Sequence, residues 1–192
     1  ITAALDAAAD KAAGTPPAEH LITAAHLTAL TDPAGIRTRF KTETGEAGTA
    51  LSQQVLVSGT LEPIYRKTKQ IINHFFIVFD LAVERGYYPA ADRIHYQRDA
   101  NAATIPAITT YADVGLWGQR IALGESARAA GTGLNHDVPM ANPSATEVAS
   151  QFAAFNAART QLTTAKDRYD GEQQDVVPVR LEALDFLRDM WD

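Results

Sequence analysis

The chain reads as all-α, an up-and-down bundle of long amphipathic helices. Three observations predict this. The composition favours Ala, Leu, Gln, Glu and Arg, which are strong helix formers. Alternation of apolar and polar residues, the mark of a half-buried strand, is scarce. From residue 144 onward apolar residues recur every three or four positions, through Val148, Phe152, Phe155, Ala158, Leu162, Ala165, Tyr169 and Val176. That spacing is a helical seam of coiled-coil type.

Each element can be argued in turn. ITAALDAAADKAAG reads as a short opening helix, with Thr2 as a possible N-cap and Gly14 as its stop. After TPP, the stretch PAEHLITAAHLTAL continues in short helical turns, and Asp32–Pro33 restarts the chain as a cap followed by a first-turn proline. ALSQQVLV is apolar enough for a strand, but it has no partner strand, so a helix is the consistent reading. A central helix is expected over about 60–86, where Ile64, Ile71, Ile72, Phe75, Phe79 and Val83 line a broad apolar face. Residues 87–109 form a long connection holding a short helix after Pro89. A helix over about 110–130 starts at a Thr110/Asp113 capping box, and Gly115, Gly118, Ala122 and Gly124 leave room for a neighbouring backbone. Ser144 and Glu147 make a second capping box, opening a helix to about 177 that Pro178 kinks or breaks. Leu184, Leu187 and Trp191 carry the apolar pattern onward and are the expected interaction surface. The organisation expected is one helical domain, with 1–58 as peripheral helices and 60–192 as the main bundle.

Bulk properties exclude several functions. The 192 residues are 46% hydrophobic and 21% charged, enough apolar material for a core. With 17 basic against 23 acidic residues the formal charge is −6, which argues against a nucleic-acid partner or an anionic membrane surface. The longest apolar stretch, Ile71 to Val83, is interrupted by Asn73, His74 and Asp80 and falls short of the roughly 20 residues a membrane span needs. No signal or transmembrane segment is read, and the chain is expected to be soluble. Cysteine is absent, so disulfides, thiolate nucleophiles, zinc ribbons and iron–sulfur sites are excluded.

INHFFIVFDLAVERG, MANPSATEVASQFAAFNAARTQLTTAKDRYD and LDFLRDMWD resemble segments of a group of uncharacterised bacterial all-helical proteins. The resemblance covers about residues 60–192. It implies the fold, and a C-terminal neighbouring segment beyond the Trp–Asp pair; it implies no activity and no site residues.

Few residues look like chemistry. His74, among Ile, Phe and Leu, has no Asp, Glu or His at helical spacing and reads as a core residue making one hydrogen bond. His20 and His26 are six apart and face different ways. The densest polar and aromatic cluster lies in the 87–99 connection, where Tyr88, Asp92, His95, Tyr96 and Arg98 are the candidate ligand-binding residues. Asp92 could orient His95 as a general base. His136–Asp137 is a lesser candidate of the same kind. If the 60–86 and 110–130 helices run antiparallel, His95 and His136 cap opposite ends, about 30 Å apart, and no multi-histidine metal centre forms. Neither a metal nor a cofactor is therefore expected. The leading functional expectation is a structural or protein-interaction module without catalytic activity, whose partner is itself or a C-terminal segment. The alternative is a small-molecule-binding protein or enzyme using the 87–99 cluster.

Overall fold

The computed structural model describes residues 1–14, 23–102 and 104–191, without the side chains of Ala12 and Trp191. Its helices are α1 (Thr2–Gly14), α2 (Ala24–Thr31), α3 (Ile36–Glu84), α4 (Tyr111–Ala129) and α5 (Ala145–Trp191), with a 3₁₀ helix at Ala90–Tyr96 between α3 and α4. No strand occurs among the described residues. The all-helical class therefore stands. His20 and the TPP segment lie outside the described residues.

The helix ends follow local chemistry. Thr23 caps α2, its hydroxyl accepting from the His26 N–H. The restart expected at Asp32–Pro33 shifts: Asp32 is the C-cap of α2, and α3 begins at Ile36. ALSQQVLV lies inside α3. Both capping boxes form. Thr110 accepts from the Asp113 N–H while the Asp113 carboxylate takes the Thr110 N–H at 2.8 Å. Ser144 and Glu147 do the same, with the Ser144 N–H at 2.7 Å from the Glu147 carboxylate. Pro178 does not end α5, which continues to Trp191. A proline forfeits one backbone hydrogen bond, and the apolar residues beyond it compensate by packing.

Two compact units form, one from residues 1–56 with 163–192 and one from residues 57–162. The first has a core of Leu5, Ala9, Leu30, Ile36, Phe40 and Ala183. Val179, Phe186, Leu187 and Met190 of α5 pack against it. Leu187 thus docks within its own unit, Leu184 stays 44% exposed, and the Trp191 side chain is outside the described residues.

The second unit carries the larger core. Leu61, Ile72, Phe75, Phe76 and Phe79 of α3 pack with Tyr88, Tyr96, Val114, Ile121, Val148 and Phe155. Here the direction of α4 departs from expectation. Tyr65 meets Tyr111 at 4.7 Å between ring centres, Phe76 meets Trp117 at 5.5 Å, and the Arg128 guanidinium lies 4.4 Å over the Tyr88 ring. Numbers rise together on both sides, so α4 runs parallel to α3. The expected antiparallel pairing is wrong because the 87–109 connection is no simple cap. Beyond the 3₁₀ helix it returns beside α3, where the Tyr65 hydroxyl donates to the Thr109 carbonyl at 3.0 Å. The α5 segment of this unit is antiparallel to α3, pairing Tyr65 with Phe155 and Thr68 with Gln151. The start of the second loop, after α4, therefore lies at the same end of the unit as the 3₁₀ helix.

His74 also departs from expectation, being exposed. At about 100° per residue the buried arc of α3 runs through Ile72, Phe75, Phe76 and Phe79. His74 falls on the opposite side with Ile77 and Leu81, which are 41% and 43% exposed.

Candidate functional site

Two short segments build the site. The first is the 3₁₀ helix. With about three residues per turn, side chains at i and i+3 stack one above the other, so Asp92 and His95 share a face. The second is the loop GTGLNHD after α4. Its backbone turns through Asn135 at φ 58°, and the Asn135 side chain donates to the Tyr87 carbonyl at 2.7 Å. His136 then reaches across to the 3₁₀ helix.

His136 Nε2 lies 2.9 Å from Asp92 Oδ1, and the His136 and His95 rings meet edge to face at 5.9 Å between centres. One donor atom each from Asp92, His95 and His136 lies within 4.8 Å of the others. The expected separation of the two histidines is thereby corrected. Asp137, beside His136, is exposed and not part of the cluster. Asp92 is 1% exposed, and its Oδ2 is buried without a hydrogen-bond partner, as is Nδ1 of His136.

The glycines of the loop make the approach possible. A Cβ at Gly131 would sit 2.5 Å from His136 Nδ1, and one at Gly133 2.7 Å from Nε2. Only residues without a side chain fit on both sides of this imidazole.

The surrounding arginines are committed elsewhere. Arg98 holds Asp80 through two hydrogen bonds of 3.0 and 2.8 Å and donates to the Thr104 carbonyl, with Arg93 on the same carboxylate at 2.9 Å. Arg128 is fully buried. It pairs with Glu125 at 3.0 Å and donates to the Val138 and Asn135 carbonyls at 2.8 and 3.2 Å, pinning the loop to α4. The Tyr96 hydroxyl donates to the Glu125 carboxylate. Burial, together with that carboxylate, pushes the Tyr96 phenol above its ordinary range, so it stays protonated. Tyr88 stacks on Phe79 and donates to the Val138 carbonyl at 3.0 Å. Of the five residues singled out in the connection, Tyr88, Tyr96 and Arg98 are thus bonded to protein groups. Asp92 and His95 remain, joined by His136.

A groove of about 690 Å³ opens beside the loop, lined by Leu81, Arg85, Tyr87, Leu134 and Asn135 among others. Set beside known proteins, the chain matches no family model, no curated protein and no solved structure. No helix among the described residues is long and apolar enough to cross a membrane.

Proposed function

We propose that this protein binds a small ligand or ion at the Asp92–His95–His136 cluster, carried on a bundle of amphipathic helices. The observation that carries the reading is the Asp92 carboxylate, buried with one oxygen unpartnered and faced by imidazoles from two segments. A buried carboxylate is costly unless its charge is compensated, and a ligand would supply that compensation. The test is a thermal-shift comparison of the parent with Asp92→Asn and His136→Gln. The probes are divalent cations, short carboxylic acids and amines. A ligand at 100 times its Kd stabilises the parent by about 2.7 kcal/mol. Identical shifts in all three proteins would remove this reading.

A second reading, a self-associating interaction module, is supported by Val55 and Leu56 of α3, 64% and 63% exposed. Apolar surface of this kind marks contacts when it is contiguous. Light scattering separates the two: a monomeric mass for the parent, unchanged in Val55→Asp, removes self-association.

A further inference from the structure

We propose that Asp92, His95 and His136 together hold one divalent cation of the zinc class, an inference that rests on the cluster being a binding site. The donor set is two imidazole nitrogens and one carboxylate oxygen. Nitrogen donors suit Zn²⁺, Co²⁺ and their neighbours, whereas Mg²⁺ and Ca²⁺ require oxygen shells. Absence of cysteine excludes the thiolate sites that would compete for such an ion.

Spacing is compatible. In a tetrahedral site with bonds of about 2.0–2.1 Å, donors lie about 3.3 Å apart. His136 Nε2 and Asp92 Oδ1 stand at 2.9 Å, and the set of three is within 4.8 Å. His95 is only half-buried at the end of the 3₁₀ helix, so its ring can swing inward by the remainder.

Charge points the same way. Arg93 and Arg98 neutralise Asp80, and Arg128 neutralises Glu125. Among the described residues no arginine or lysine pairs with Asp92, whose partner is an imidazole. A dication held between the two imidazoles and the carboxylate places positive charge directly beside Asp92. Three protein ligands leave a fourth position for water or a small molecule, the arrangement of an open rather than a closed zinc site. The ion also ties the 3₁₀ helix to the loop after α4.

The experiment uses untagged, chelator-stripped full chain, titrated with Zn²⁺ by calorimetry and with Co²⁺ by visible absorption. One ion per chain is expected, with the bands of a four- or five-coordinate Co²⁺ site. His95→Gln, His136→Gln and Asp92→Asn should each weaken Zn²⁺ binding by at least the 10–100-fold that loss of an outer-shell partner costs. His26→Gln and His74→Gln should leave it unchanged. Should Asp92→Asn fail to fold, His95→Gln decides, since its ring is half-exposed. Zn²⁺ binding that survives all three substitutions, or Mg²⁺ binding as tight as Zn²⁺, overturns the proposal. No Zn²⁺ binding, with an organic probe still stabilising the parent but not Asp92→Asn, overturns the metal and keeps the binding site. No binding of either kind overturns both.

Discussion

His136 Nε2 lies 2.9 Å from Asp92 Oδ1, although the whole of α4 separates them in the chain. The contact exists because α4 runs parallel to α3, which returns the loop after α4 to the 3₁₀ helix. It also depends on Gly131 and Gly133, which flank the imidazole. Gly133→Ala places a Cβ 2.7 Å from His136 Nε2. Overpacking of this kind costs about 1–3 kcal/mol, and the ring should leave Asp92. Gly48→Ala, inside α3 with open space around it, should instead stabilise by about 0.5–1 kcal/mol. Urea melts of both variants provide the check. Equal effects would mean the imidazole is not held between the glycines.

The loop's other anchor is Arg128, buried against Glu125 and donating to three loop carbonyls, those of Asn135, His136 and Val138. Arg128→Met leaves the Glu125 carboxylate without its counter-charge and those carbonyls without a donor. Breaking one side of a buried pair costs about 3–5 kcal/mol. Glu125→Gln should cost a comparable amount, stranding the guanidinium instead. Denaturant midpoints within error of the parent for both variants would show that the pair holds nothing.

Much of the helical fold was legible because its causes are local. Thr110/Asp113 and Ser144/Glu147 announce their capping boxes within four residues, and the spacing of Phe75 and Phe79 announces a buried face. Asp92 and His95 were legible for the same reason, three residues apart after Pro89. Their partner was not. Whether a 23-residue connection (87 to 109) caps a helix end or returns along its side depends on tertiary packing, and no periodicity records it. A usable signal did exist in GTGLNHD, where two glycines precede a histidine and leave room for close approach. His74 misled because, Asn73 aside, the residues around it from Ile71 to Phe79 are apolar, although Ile77 and Leu81 on its side of α3 are themselves exposed.

The buried face of α3 can be tested against its wet face. Phe75 and Phe79 are fully buried and meet Tyr96 at ring-centre distances of 5.6 and 4.9 Å. Each Phe→Ala substitution should cost about 3–5 kcal/mol. His74→Ala, three and four residues from exposed Ile77 and half-buried Val78, should stay within about 0.5 kcal/mol of the parent. A large loss in His74→Ala would place that histidine in the core after all.

The two capping carboxylates set the response to acid. Asp113 accepts from the Thr109 and Thr110 N–H groups at 2.9 and 2.8 Å, which pulls its carboxyl from 3.8 down to about 2. Glu147, accepting from the N–H and hydroxyl of Ser144, is also lowered from 4.5. Folding therefore favours both charged forms. Their contribution is complete above the ordinary carboxylate range, near pH 4, and disappears as pH falls through the folded values, about 2 for Asp113. The double variant Asp113→Asn, Glu147→Gln should be less stable than the parent at pH 7. Its stability should fall less steeply between about pH 4.5 and 2, so the two curves converge at the acid end. Urea midpoints across that range measure this directly. Parallel curves would show that neither cap favours its charged form in the folded chain.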